Sequence, residues 1–320
     1  MKRLLRGRNW LKRPSVSVRR LRLEELESRA LPSGPSVSSV TPLTVINQTF
    51  NYIDVQFNEA INPSTLTTSN VTIQGPTGAV APTGVTELSG SLYQVSFAPL
   101  TTRGLYNAAI GPGVADTSGN VMNQAYDTTL EYVNAGVVFT SSTTISGSNG
   151  SYDGQDICID GTTVTIDGTH SFDSIQIING GVLTETANTT TQTYGLNLNV
   201  TNQVIVDSTS AINVTGDGYQ AGRTTGNTTT GGATGSSGGS YGGLGGLNGG
   251  ATNAVYGNYA DPDDWGSGGA RTSGGGLVQL VAGALQLNGQ LLANGTTGNY
   301  GAGSGGSIYV AVQSLSGTGL

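Results

Sequence analysis

Hydrophobic and polar residues alternate in several short runs between residues 35 and 135. The clearest runs are Phe50–Phe57, Tyr93–Phe97 and Tyr106–Ile110, and turn-forming pairs such as Asn62-Pro63 separate them. The positions predicted to face a core are Ile53, Val55, Phe57, Tyr93, Val95, Phe97, Tyr106, Ala108 and Ile110. About seven short strands in roughly 100 residues predict an immunoglobulin-like (Ig-like) β-sandwich, without the Cys…Trp…Cys framework of antibody domains.

A different pattern covers residues 136–320, where short apolar strands are separated by small polar turns. Val164 and Ile166 are followed by Ile175 and Ile177, and further sets continue as far as Val312. Each set of three strands spans about 20–30 residues, which is typical of one coil in a three-faced parallel β-helix. The corners are predicted at Asn179–Gly181, Asp207–Ser210 and Asn288-Gly289. A further antiparallel sandwich is the alternative.

Glycine interrupts this solenoid pattern between residues 216 and 276, where 22 of 61 residues are Gly. Such a segment buries little apolar surface, so we predict a flexible loop. The run 242–250 is similar to calcium-binding nonapeptide repeats but lacks their Asp. No terminal cap is visible after Gly317, which predicts a truncated product or a domain that continues in a partner.

Charge is distributed unevenly along the chain. Residues 1–33 hold ten of the 13 basic residues and three acidic ones, whereas residues 34–320 hold three Arg, no Lys and 17 acidic residues. The acidic body repels phosphate, which argues against nucleic-acid binding. No apolar run reaches the ~18 residues of a transmembrane helix. A single Cys158 and a single His170 exclude a disulfide framework and a Cys/His zinc site.

The basic segment 1–34 lacks the apolar core of a standard signal peptide, which is roughly 7–15 residues long. The positions of this segment that match a known sorting motif are Leu23, Glu24, Leu26, Glu27, Arg29, Leu31, Pro32 and Ser33. They resemble the L-E-x-L-E-x-R-x-L-P-S sorting motif of planctomycete surface proteins. The resemblance implies export to the cell envelope or beyond it, by a mostly disordered targeting segment. The alternative is a disordered basic tail that seeks nucleic acid or membrane.

Three motifs in residues 35–135 resemble the bacterial Ig-like domain of S-layer and other surface proteins. They are Val55–Leu66 (VQFNEAINPSTL), Gly104-Leu-Tyr106 and Asp116–Asn120 (DTSGN). The resemblance implies a spacer, stalk or assembly module. Asp116 and Asn120 are expected to close a turn around Gly119. Calcium binding is the alternative, but two oxygen side chains are too few for calcium, which takes about six to eight oxygens.

Two glycine-rich sets near the end of the sequence are similar to each other. Gly274–Ala282 parallels Gly303–Ala311. They resemble the solenoid repeats of large bacterial adhesin-like surface proteins, which favours a structural or adhesive role.

Carboxylates are the only candidate catalytic groups. Five aspartates fall within 21 residues: Asp153, Asp156, Asp160, Asp167 and Asp173. Polysaccharide lyases and hydrolases built on β-helices need carboxylates that converge on one face, whereas Asp-Gly pairs also form ordinary corners. His170 has the character of a lone surface histidine, and Cys158 that of a small buried residue. We therefore predict no enzymatic activity.

The segment Tyr256–Trp265 is the most distinctive part of the glycine-rich region. Asp261, Asp263, Asp264 and Trp265 form a candidate ligand patch for a sugar or calcium. The alternative is a loop anchor in which Trp265 packs on the solenoid. No cofactor is expected, with calcium the one candidate.

These features together predict an all-β, exported, non-catalytic protein, in which an Ig-like spacer (35–135) presents a glycine-rich solenoid (136–320). The expected partners are cell-envelope or matrix components, including polysaccharide. A polysaccharide-binding or polysaccharide-cleaving β-helix is the alternative.

Overall fold

A computed structural model describes residues 33–320, so the predicted targeting segment lies almost wholly outside the described residues. The described chain is an Ig-like β-sandwich followed by a parallel β-helix, as the sequence predicts. Three short 3-10 helices interrupt the strands, at Pro63–Thr65, Thr68–Asn70 and Gly150–Tyr152.

Two sheets form the sandwich, with the orders β1-β3-β7-β6 and β2-β9-β8-β4-β5. The strands are β1 (Val37–Thr41), β2 (Thr44–Ile46), β3 (Tyr52–Phe57), β4 (Val71–Gly75), β5 (Gly78–Val80), β6 (Pro82–Ser89), β7 (Leu92–Phe97), β8 (Gly104–Ile110) and β9 (Tyr126–Val133). The nine positions predicted to face the core are each at most 3% exposed, which confirms the predicted alternation of inward and outward side chains.

Local polar contacts fix the turns of this domain. Asn62 caps the first 3-10 helix by accepting a hydrogen bond from the Ser64 amide at 3.2 Å. The Asp116 carboxylate accepts bonds from the amides of Ser118 and Asn120, both at 2.8 Å, around Gly119 with φ +86°. The predicted turn is therefore confirmed. The hydrogen bonds, led by that of the Asn120 side chain, lower the pKa of Asp116.

The solenoid contains three parallel ladders. Its strands are β10 (Val137–Phe139), β11 (Thr143–Ile145), β12 (Asp156–Asp160), β13 (Thr163–Ile166), β14 (Gly168–Phe172), β15 (Ser174–Ile178), β16 (Val182–Thr184), β17 (Leu196–Val206), β18 (Ala211–Asn213), β19 (Leu277–Leu287), β20 (Gln290–Leu292) and β21 (Ser307–Ser316). The first face stacks β10, β12, β15 and the second halves of β17, β19 and β21. The second face stacks β11, β13, β16, β18 and β20. The third face stacks β14 and the first halves of the three long strands.

One inward position can be followed from coil to coil along the first face. It is occupied by Val137, Ile157, Ile175, Val204, Leu285 and Leu315. The successive coils therefore contain 20, 18, 29, 81 and 30 residues. The coil of 81 residues carries the glycine-rich segment. Since these pairs are parallel, the alternative of a second antiparallel sandwich is wrong.

The glycine-rich segment 216–276 differs from the predicted flexible loop. It lacks named strands, yet it is folded by backbone hydrogen bonds such as Gly218 to Gly274 and Tyr219 to Gly266. Its interior holds polar side chains that are at most 1% exposed: Ser237, Ser240, Asn253 and Ser267. Asn253 bonds the Ser240 amide at 2.7 Å and the Ser267 hydroxyl at 3.0 Å. Composition predicts low apolar burial, but not this backbone packing.

Close approach of peptide groups explains the glycine content. A Cβ atom on Gly274 would overlap the carbonyl oxygen of Gly266, and one on Gly303 would overlap that of Ser273. Only glycine therefore allows these chain segments to pack backbone against backbone.

The Ig-like domain lies against the outer side of the first face of the solenoid. Val133 and Ala135 of the Ig-like side form a buried apolar cluster with Cys158 and Ile178 of the solenoid. Arg103 makes salt bridges to two solenoid aspartates, Asp156 and Asp173. The two domains therefore share a packed interface.

Replacing Gly274 by Ala tests the backbone packing. The added methyl group should force the glycine-rich segment apart and destabilise it by about 1–3 kcal/mol. Hydrogen exchange should show faster exchange of the amides around residues 218–219 and 266–275. Gly242→Ala is the matched control, because a Cβ atom there meets nothing within 4 Å. Equal exchange in both variants would contradict this account.

Candidate functional site

The structure divides the predicted ligand patch into two parts. Asp261 and Asp263 are exposed, whereas Asp264 and Trp265 are half-buried. Asp264 accepts hydrogen bonds from the Tyr219 hydroxyl at 2.8 Å and from Thr225 at 2.9 Å. Burial and then the bond to Asp264 raise the pKa of Tyr219, so its hydroxyl stays protonated and donates. Asp264 therefore holds the loop in place.

Trp265 lies where the loop meets the solenoid. Its indole Nε1 donates to the carbonyl oxygen of Tyr194 at 2.5 Å, and its ring meets Tyr219 edge-on with 5.9 Å between centroids. These contacts fit the loop-anchor alternative. The same ring also borders a groove of about 530 Å³, which we call the Trp265 groove. Its lining is Ser146, Gly147, Ser148, Asp167, Gly168, Gln192, Thr193, Tyr194, Gly195, Asn197, Trp265 and Leu277.

Glycines from successive coils give the Trp265 groove its depth. The Gly168 amide donates to the Gly195 carbonyl at 2.8 Å, and Gly147 lies beside Gly168 in the preceding coil. Because these residues lack side chains, the surface is concave between Trp265 and the neighbouring coils.

Polar groups of the Trp265 groove include one carboxylate and one unsatisfied amide oxygen. The two oxygens of Asp167 are bound by the Thr186 amide and hydroxyl, each at 2.7 Å. The side-chain oxygen of Asn197 is buried and has no hydrogen-bond partner among the described residues. The groove is therefore weakly charged.

The five clustered aspartates do not converge on one site. Asp156 and Asp173 pair with Arg103 of the Ig-like domain, and Asp160 accepts a bond from Asn179 at a corner. Asp167 is bound by Thr186, and Asp153 lies 2.9 Å from the Nδ1 atom of His170. Each carboxylate thus has a polar partner, and only Asp156 and Asp173 share one, which is Arg103.

His170 is not the surface histidine that the sequence predicts. It is 2% exposed, and its ring stacks on Phe172 with centroids 6.2 Å apart. Alternation along β14 turns both side chains inward. Cys158, in contrast, is a buried free thiol as predicted, and burial raises its pKa to about 12.

A second groove, of about 570 Å³, separates the Ig-like domain from the far part of the first face. Leu43, Leu105, Glu131, Asp207 and Gln286 contribute to its lining. Glu131 is 4% exposed, and its Oε1 atom has no partner among the described residues. Burial, together with the negative charges of Asp207 and Asp160, raises the pKa of Glu131 to about 8.

Sequence reasoning misses most residues of both grooves. Tyr194 and Asn197 lie about 70 residues before Trp265 in the sequence, and only the register of the coils brings them together. The recurrence of Gly147, Gly168 and Gly195 is the one pattern that could have indicated the Trp265 groove.

Among residues 33–320, no three His, Cys, Asp or Glu side chains are grouped in a way that could hold a metal ion. In the same range, every helix is too short or too polar to cross a membrane.

Comparison with protein families identifies the first domain. The family described as bacterial Ig-like domain matches residues 32–141, and a bacterial Ig-like domain is therefore present there. This domain suggests a surface or structural protein. Comparison with curated proteins gives no match.

Similar solved structures cover only part of the chain. The N-terminal part of the bacterial S-layer protein SbsC is 23% identical, with a TM-score of 0.26, and the match covers 31% of this chain and 23% of that one. The structure of SbsC domains 1–6 is 24% identical, with a TM-score of 0.25 and coverage of 31% and 13%. CopC from Methylosinus trichosporium OB3b is 14% identical, with a TM-score of 0.25 and coverage of 31% and 96%. The chain thus spans less than a quarter of the SbsC structures it matches.

Glu131 should make the stability of the fold depend on pH. Its carboxyl has an ordinary pKa of 4.5 and a pKa of about 8 in the fold. The protonated form therefore stabilises the fold fully below about pH 4.5, and this contribution is lost as the pH rises through 8. It is on the order of a few kcal/mol.

Glu131→Gln should remove this part of the pH dependence, because an amide does not titrate. Denaturant unfolding between pH 5 and pH 9 measures the effect. Burial also raises the pKa of Glu185, to about 9, so Glu185→Gln should remove a second part. Glu87→Gln, at an exposed position, is the control. A wild-type pH profile in the Glu131→Gln variant would refute this role for Glu131.

Proposed function

We propose that this chain is a non-catalytic extracellular or cell-surface protein of structural and adhesive type. The observation that carries the proposal is the bacterial Ig-like domain at residues 32–141, which packs against the side of the solenoid through a shared interface. Through this interface the Ig-like domain supports the solenoid as well as acting as a spacer. The polar surface of residues 34–320, which contain three Arg and no Lys, is in keeping with an exported protein.

Contacts across the interface support a fixed arrangement of the two domains. The side-chain amide of Gln176 donates to the Tyr132 carbonyl at 3.4 Å. Asn47 exchanges two hydrogen bonds with the backbone of Ala135, at 3.0 and 2.9 Å, and so fixes the connection between the domains.

The carboxylates support the non-catalytic part of the proposal. General acid–base cleavage of a glycosidic bond needs two carboxyl groups that flank one bond. Of the aspartates between residues 153 and 173, Asp156 and Asp173 are instead paired with the same cation, Arg103, while Asp160 and Asp167 are bound by Asn179 and Thr186.

Localisation in the source cells tests the proposal. Antibody labelling of intact cells and protease treatment from outside should both reach the protein. Recovery of the protein in the cytosol alone would overturn the proposal.

Incubation of the full chain with a panel of polysaccharides tests the absence of catalysis. We expect no new reducing or unsaturated chain ends, with or without calcium. New chain ends that disappear in Asp153→Asn or Asp167→Asn would overturn the non-catalytic reading, and Asp261→Asn is the exposed control.

A further inference from the structure

The Trp265 groove offers a fixed aromatic surface beside polar groups. The bond from the indole nitrogen to Tyr194 and the edge contact with Tyr219 hold the ring in one orientation before any ligand arrives. A preset aromatic ring lowers the ordering cost of binding. Ligand sites commonly combine such apolar surface with a few placed polar groups.

The charge of the groove limits which ligands it can bind. Among residues 33–320, Asp167 is the only charged residue in the lining, and its carboxylate already accepts two short hydrogen bonds from Thr186. None of Arg103, Arg223 and Arg271 belongs to the lining. Within the described part of the chain an anionic ligand would therefore lack a cationic partner in the groove, whereas a neutral polar ligand faces no such penalty.

Hydrogen-bonding capacity points to hydroxyl groups. The side chains of Gln192, Thr193, Ser146, Ser148 and Asn197 belong to the lining, and hydroxyl and amide groups of these types both donate and accept. A pyranose ring matches this set, since its C–H face packs on an aromatic ring while its hydroxyl groups bond amides and hydroxyls.

The groove also has a direction. Its lining comes from consecutive coils through Gly147, Gly168 and Gly195, and neighbouring strands of a sheet are typically about 4.8 Å apart. The groove therefore extends along the solenoid axis over several coils, which suits a linear chain.

We propose that the Trp265 groove binds a short stretch of a neutral, unbranched polysaccharide. This inference rests on the proposed function, because such chains occur at the cell surface. It gives the anchor residue Trp265 a second role as a binding platform.

Fluorescence provides a direct test, since the sequence has two tryptophans, Trp10 and Trp265. In the full chain with Trp10→Phe, Trp265 is the single indole. Titration with cello-, laminari- and chito-oligosaccharides should produce a saturable change in emission with at least one series. Oligogalacturonates, which are acidic, should bind at least tenfold more weakly.

Variants in the same background locate the binding site. Asn197→Ala should weaken binding about tenfold or less, the range of one hydrogen bond. Asn199→Ala is the matched control, because Asn199 is exposed on the same strand and outside the groove. Gly195→Val should abolish binding by placing methyl groups beside Leu277 and Trp265, where a Cβ atom itself fits at 3.4 and 3.7 Å.

The outcomes separate this inference from the proposed function. No emission change with any neutral series, in a protein that is on the cell surface, overturns the neutral-sugar site alone. Preference for oligogalacturonates, or binding that Asn197→Ala and Gly195→Val leave unchanged, overturns it as well. A cytosolic location overturns the proposed function whatever the titration shows.

Discussion

Stacking between coils is the interaction on which the solenoid depends. A single coil cannot enclose its own inward side chains, so Ile157, Ile175 and Val204 become buried only because adjacent coils lie above and below them. The parallel ladders keep these side chains in register over six strands of the first face. The Ig-like domain, which has its own core, adds a second layer over the outside of that face.

Backbone packing is a second principle, used only in the glycine-rich region. There the chain segments approach so closely that a methyl group would collide with carbonyl oxygens, and buried Ser and Asn side chains take the place of an apolar core. Asn253 satisfies several backbone and hydroxyl groups at once, which suits a segment with few strands to pair its peptides. Order here comes from hydrogen bonds and the absence of side chains.

Much of the fold can be predicted from sequence because alternation is a local property. The inward positions of the sandwich and the three-strand coils follow from side-chain period alone. The ordered packing of residues 216–276 cannot be predicted in this way, since a flexible linker and a closely packed backbone both have a high glycine content. The burial of His170 and Glu131 depends on which coil or domain covers them. The Trp265 groove depends on residues from five parts of the chain, and only Trp265 and its neighbours stand out in the sequence.

The position of the Ig-like domain has a consequence for how the molecule comes apart. Its interface contacts residues on two successive strands of the first face, Cys158 on β12 and Ile178 on β15. Loss of either strand would require the domain to detach, so this part of the solenoid should open as one cooperative unit.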